Sequence, residues 1–359
     1  MAIPPLHIGN VTARLPIIQG GMGIGISLSG LASAVARAGG IGVIATPGIG
    51  MDEPDFRTNW VEANSRALAR EIRQAKANAQ GGLIGVNIMT VLTNSPELIA
   101  TATAENADII LSGAGLPLSL PKYVTEGSTT KLAPIVSSGR AAALIARSWQ
   151  SKCSCLPDAV VVEGPLAGGH LGFKREELDD PAMRLEQLVT ETIEALKPFV
   201  QKAGRDIPVI AAGGIYTGAD IRAIMDLGAS GVQLGTRFVA THECDAHINF
   251  KQAFVDATAT DMVIVDSPVG LPGRALRNPF VEGALRGEKK PFNCPYHCLK
   301  SCDPTKSPYC IALALKQAQR GMDDTALRFA GANAWRVDKL LHVQELMDEL
   351  VAGYEAATA

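Results

Sequence analysis

Short apolar runs that stop on a small or polar residue recur along the chain, and between them the apolar positions shift to helical spacing. Ile207 to Ala212 is such a run, ending on Gly213-Gly214, and it reads as a fully buried parallel strand closing on a tight turn. A helix is predicted next, with Thr217 as N-cap, Asp220 three residues on, and Gly228 as its end. Gly231–Leu234 then repeats the strand pattern and closes on Gly235-Thr236. The same rhythm predicts earlier strands at Pro16–Gly21, Gly40–Ala45, Leu83–Met89, Asp108–Ser112, Leu132–Val136 and Ala159–Glu163. Helices are expected between them over Leu28–Ala38, Trp60–Ala79, Ser95–Glu105, Leu118–Glu126, Arg140–Trp149 and Met183–Ala203. Arg66, Arg70, Arg73 and Lys76 fall on the wet side of the second of these.

Eight strands alternating with helices, with polar groups gathered at the strands' carboxyl ends, predict a (β/α)8 TIM barrel. An open doubly wound sheet is the competitor. Its dinucleotide fingerprint is matched only by Gly40-Ile-Gly42-Val-Ile-Ala45, which lies inside a strand and runs into Thr46-Pro47, so the match is read as chance. Beyond residue 240 the rhythm fails. A helical stretch from Asp245, a strand at Met262–Asp266, the loop SPVGLPGRALRNPF, a cysteine-rich segment and helices over Ile311–Arg320 and Val337–Val351 are expected there. The chain is therefore divided into a barrel, 1–240, and a C-terminal extension, 241–359, packing on it.

Composition narrows the function classes. Hydrophobic residues make up 47% and aromatics 5% of 359 residues, with 36 glycines, which suits many strand ends and tight turns. A net charge of -3 and no basic run beyond Lys289-Lys290 give no reason to expect nucleic acid. The apolar runs are far too short to span a bilayer, and Met1-Ala-Ile-Pro-Pro has neither the basic start nor the apolar core of a signal peptide, so a cytoplasmic protein is expected.

Candidate chemistry sits at the strand ends. Two adjacent strands closing on Gly213-Gly214 and Gly235-Thr236 offer bare backbone N–H groups and a hydroxyl, which a phosphate dianion needs; each pair alone is also an ordinary turn. After the sixth strand, Glu163-Gly-Pro-Leu-Ala-Gly-Gly-His170 holds an imidazole in a glycine-rich loop, free to reach a ligand or to bond a carbonyl. Gln19-Gly-Gly-Met22 closes the first strand and Asn87 ends the third. An amide and a thioether beside small residues suit the edge of a flat heteroaromatic ring.

In order, QGGM, GVNIM, AGGHLG, AAGGI, GVQLGTRF and SPVGLPGRAL resemble the nitronate monooxygenase (2-nitropropane dioxygenase) family of FMN-dependent barrels, to which the enoyl-acyl carrier protein reductase II flavoenzymes are related. The resemblance covers roughly residues 10 to 280 and weakens into the C-terminal helices. It implies an FMN whose phosphate rests on Gly213, Gly214, Gly235 and Thr236 and whose isoalloxazine lies near Gly21, Met22, Asn87 and Gly168, with His170 catalytic. Ser137 stands where relatives often contact the flavin with a polar or basic side chain. The family's reaction takes an alkyl nitronate and O2 to a carbonyl compound and nitrite, with His170 as base toward a neutral nitroalkane or as cationic partner of the anion. The alternative is an NADH-dependent reductase of enoyl thioesters or quinones, and a non-enzymatic barrel binding a phosphorylated ligand is a third reading. An oligomer is compatible with all of them.

Seven cysteines without an export signal argue for thiols or metal ligands over disulfides. Cys294, Cys298, Cys302 and Cys310 fall within seventeen residues, interrupted by Pro295, Pro304 and Pro308. Four such thiolates can hold a [4Fe-4S] cluster or a structural zinc, or can simply be reduced thiols, since the spacing matches no familiar ferredoxin or zinc-finger form. Cys153 and Cys155 are assigned no role.

Overall fold

The computed structural model describes residues 2–294 and 296–357; Pro295, one of the three prolines noted above, lies outside them. The chain opens with a hairpin, β1 (Leu6–Ile8) and β2 (Val11–Ala13), and then enters a closed parallel barrel. The barrel strands are β3 (Ile17–Gln19), β4 (Ile41–Ala45), β5 (Leu83–Met89), β6 (Ile109–Gly113), β7 (Lys131–Val136), β8 (Val160–Glu163), β10 (Val209–Ala212) and β11 (Gly231–Leu234). β11 pairs with β3 and β10 with β8, so the sheet has no edge. The two-residue β9 (Gly169–His170) lies outside the barrel, in the loop after β8.

The strands read as unbroken apolar runs because both of their faces are buried. Val161 and Ile18 point into the barrel, where they pack with Ile41, Val43, Leu111 and Ile210, while Val160, Val162 and Ile17 join the outer layer against the helices. Leu6, Ile8 and Ala13 of the hairpin belong to the interior cluster and close the barrel's floor, an element the sequence reading lacked.

The outer helices are α1 (Ser29–Arg37), α2 (Phe56–Asn78), α3 (Ser95–Ala104), α4 (Gly139–Cys153), α5 (Leu185–Ala203) and α6 (Gly218–Asp226), with a single turn α7 (Thr236–Val239) after β11. Thr217 caps α6 as expected: its Oγ1 accepts from Asp220 N–H at 3.1 Å and the Asp220 carboxylate accepts from Thr217 N–H at 2.8 Å. On the wet side of α2, Arg66 meets Asp55, Arg70 meets Glu53, and Lys76 meets Asp108. The helix expected over Leu118–Glu126 is only a 3-10 turn at Leu120–Tyr123, because Pro121 interrupts the run and Leu120 alone in that turn is buried.

The extension contains α8 (Ile248–Val255), β12 (Met262–Asp266), β13 (Pro272–Leu276), α9 (Pro279–Leu285), α10 (Ile311–Gln319) and α11 (Val343–Ala356). The segment read as the loop SPVGLPGRALRNPF contains β13 and the start of α9. Its prolines and glycines suggest a loop, but Pro272 takes the first position of the strand, where no ladder donor is lost. β13 pairs with β12 on one side and with β9 on the other, which ties the extension to the histidine loop. The last helix starts at Val343 rather than Val337, where His342 and Glu345 form a capping box. Among the described residues no helix is long and apolar enough to cross a membrane.

Candidate active site

A cavity of about 270 Å³ opens at the carboxyl ends of the barrel strands. Gly21, Met22, Asn87, Gly168, His170, Gly213, Gly214, Gly235 and Thr236, drawn from five separate strand ends and loops, all line it. The close backbone approach at these positions is physical. A Cβ on Gly21 would stand 2.2 Å from Asn87 Cβ, and one on Gly168 would stand 2.6 Å from the Ala330 carbonyl carbon. Gly213 and Gly214 both hold φ of +91°, a backbone region that glycine alone enters freely. The N–H groups of Gly214 and Gly235 find no acceptor among the described residues. Ser137 is not among the residues lining this cavity; its Oγ lies beneath Gly172 of the histidine loop, where an added Cβ would come within 2.0 Å of it.

The C-terminal extension completes the site with residues that the sequence reading did not single out. The Gly331 N–H donates to Thr236 Oγ1 at 3.2 Å, and Asn333 Nδ2 donates to the Gly214 carbonyl at 2.6 Å, so residues near 331–333 brace both glycine rims. Arg274 is buried, and its Nη1 donates to the carbonyls of Pro165 and Ala167, both at 2.6 Å, pinning the loop that carries His170. Only a strand assignment for residues 272–276 would have signalled that Arg274 faces this loop.

His170 stands on the shared wall of this cavity and a second, larger one of about 1230 Å³. Its Nε2 lies 2.8 Å from Ser267 Oγ, and its ring packs edge-on against Phe329 with centroids 4.9 Å apart. Burial lowers its pKa to about 4, so the imidazole is neutral at pH 7. Glu163 ends β8 in the smaller cavity, and burial raises its pKa to about 7. The larger cavity is walled by Phe56, Trp60, Phe292 and Tyr296, with Arg57, Lys316 and Arg320 also on its lining. Cys294, Cys298 and Cys310 line it too. All four cysteines of the segment are free thiols, and among the described residues no three His, Cys, Asp or Glu side chains converge on a single metal ion.

A closed (β/α)8 barrel with a main-chain cradle at two neighbouring rims and a half-buried imidazole beside it is the architecture of a barrel enzyme that takes a phosphorylated ligand at its carboxyl-end face. Comparison with known proteins makes the assignment specific. The family model described as nitronate monooxygenase matches residues 5–353. The chain is 29% identical over 360 residues to a nitronate monooxygenase of Pseudomonas aeruginosa, covering 94% of this chain and 95% of that one. It is 27% identical over 274 residues to a (3aS,4S,5R,7aS)-5-hydroxy-7a-methyl-1-oxo-octahydro-1H-indene-4-carboxyl-CoA dehydrogenase of Mycobacterium tuberculosis, covering 76% of this chain and 66% of that protein. The solved structure of FabK from Thermotoga maritima superposes with a TM-score of 0.72 at 28% identity, covering 96% of this chain and 93% of that one. The chain belongs to the nitronate monooxygenase family, and the resemblance carried by its motifs is borne out.

Proposed function

We propose that the chain binds FMN in the smaller cavity and oxidises alkyl nitronates with O2 to a carbonyl compound and nitrite, as a cytoplasmic enzyme. The observation that carries this reading is the half-buried imidazole of His170 on the wall of a glycine-lined cavity. The residues fit FMN. The phosphate would sit against Gly213, Gly214, Gly235 and Thr236, where two main-chain N–H groups have no other acceptor among the described residues. The ring would lie against Gly21, Met22, Asn87 and Gly168, positions where side chains would clash or where an amide and a thioether line the wall. Bound there, FMN would supply the electron acceptor.

The chain's own residues do the rest. With its pKa lowered to about 4, His170 is uncharged at pH 7, which disfavours charge pairing with a nitronate anion; its unprotonated ring can accept a proton from a neutral nitroalkane, though as a weaker base than an ordinary histidine. Nε2 is engaged with Ser267 Oγ, which leaves Nδ1 as the ring nitrogen available to a substrate. Ser267 and Phe329 fix the ring plane, and Arg274 fixes the loop. The protein as purified is expected to show flavin absorption and to release nitrite from propyl nitronate in air. Protein that stays colourless after FMN is added would overturn the proposal.

A second reading draws on the larger cavity, which at about 1230 Å³ exceeds what a small nitronate fills. It is an NADH-dependent reductase of enoyl thioesters or quinones on the same scaffold. Rapid flavin bleaching on anaerobic mixing with NADH selects it, and absence of bleaching selects nitronate oxidation.

A further inference from the structure

The cysteine-rich segment is left unused by the flavin chemistry, yet it is fastened to the site from several directions. Leu299 forms a bridge with Leu92, and the Lys300 N–H donates to the Val91 carbonyl at 2.9 Å. Thr93 donates through N–H to the Cys298 carbonyl at 3.1 Å and through Oγ1 to the His297 carbonyl at 2.9 Å, so the segment is strapped to the loop after β5. Ser301 Oγ donates to the Val269 carbonyl at 3.2 Å, next to the Ser267 that holds His170. Lys290 N–H donates to the Pro308 carbonyl at 2.6 Å and closes the segment on itself, and Cys310 leads directly into α10.

This folding brings the four thiols into one neighbourhood. Cys294, Cys298 and Cys310 share the wall of the larger cavity, and Cys298 and Cys302 pack against the core. Cys294, Cys302 and Cys310 all lie near the Cys298 sulfur. The Cys310 sulfur is also within reach of the N–H groups of Leu313 and Ala312 in the first turn of α10. The same wall carries Asn94, a buried residue whose amide nitrogen has no acceptor among the described residues. Phe56 and Tyr296, with ring centroids 5.0 Å apart, give the wall an aromatic cover.

Cysteines on one cavity wall, an unpartnered amide donor beside them and an aromatic cover make up the donor set and the sheltered setting that an iron–sulfur cluster takes. A single zinc with bonds of about 2.3 Å would draw its sulfurs to within roughly 4 Å of one another. The described residues hold no such convergent set, which a single zinc on these cysteines would require. We propose that Cys294, Cys298, Cys302 and Cys310 are the four ligands of a [4Fe-4S] cluster seated in the wall of the larger cavity. The assignment is independent of which reaction the flavin site performs. It places a one-electron centre on the cavity that also exposes His170.

The test uses the full chain produced with iron supplied and purified without oxygen. About four iron and four acid-labile sulfide per chain are expected. A broad visible absorption outside the flavin bands should bleach with dithionite, and an electron paramagnetic resonance signal should appear on reduction. Cys298→Ala and Cys302→Ser should each lose iron and sulfide while circular dichroism and flavin content stay those of the parent. The proposal is overturned by anaerobic protein with native dichroism that carries no iron and sulfide, by zinc in place of iron, or by iron that persists in the Cys298→Ala/Cys302→Ser double variant.

Discussion

The glycine rims at β10 and β11 and the wall that faces them are built by opposite means. The rims are main chain: Gly213, Gly214 and Gly235 contribute no side chains, and any ligand there meets N–H groups. The facing wall is side chain: His170 is held by Ser267 from 97 residues away and by Phe329, and its loop by Arg274 from more than a hundred. A rim of main chain grips whatever carries the right charge, whereas a wall of long-range side chains can be exchanged without moving the barrel. The cofactor grip and the choice of substrate are thus separable, and each prediction probes one side of that division.

The largest effect is expected on the wall. His170→Ala should lower kcat/KM toward neutral nitroalkanes by about 10²–10⁴-fold, the usual range for a positioned base, while flavin content is unchanged. Preformed nitronate, which needs no deprotonation, should lose much less. Equal losses for both substrates would show that His170 binds substrate rather than moving a proton. Arg274→Met comes next. It leaves two buried carbonyls, those of Pro165 and Ala167, without their donor, at a cost of about 3 kcal/mol in denaturant unfolding. Flavin retained alongside lowered turnover would place the damage in the histidine loop.

On the rim the expected effect is smaller and falls on affinity. Gly213→Ala forces a Cβ onto a backbone at φ +91° and to 2.8 Å from the Gly164 carbonyl oxygen, a strain of about 1–2 kcal/mol, or roughly tenfold in FMN dissociation constant. Fluorescence titration of the apoprotein measures it. An unchanged constant would mean that the phosphate does not use this rim.

The same division explains what was legible in the sequence. Strand ends, the Thr217 cap and the glycine rims are local features, set by a few adjacent residues, and they were read with boundaries off by one or two positions. His170 apart, the side chains of the wall were not legible one by one. Ser267 and Arg274 sit in a stretch dense in Pro and Gly that looks like a loop, and nothing within it signals pairing with β9, about a hundred residues earlier. The floor hairpin was missed because three-residue strands carry too little periodicity to register.

In the parent protein the smallest effect, and the finest probe of the site, is the pH dependence of apoprotein stability. His170 has its pKa lowered from 6.5 to about 4, so between those values the unfolded chain takes up a proton that the folded chain refuses, and stability falls as pH falls. Glu163 has its pKa raised from 4.5 to about 7, so over that range the folded chain keeps a proton that the unfolded chain releases, and stability falls as pH rises. From about 4.5 to 6.5 the two slopes oppose each other and the parent protein should be nearly flat. Removing one group exposes the other. His170→Ala should lose up to about 1.4 kcal/mol per pH unit as pH rises toward 7, and Glu163→Gln should lose a similar amount as pH falls toward 4. Both side chains are half-buried and line the cavity, so both slopes should fall short of that limit. Melting temperatures across pH 4 to 7 read both variants, and identical profiles in the two would break the assignment of opposed titrations to this pair.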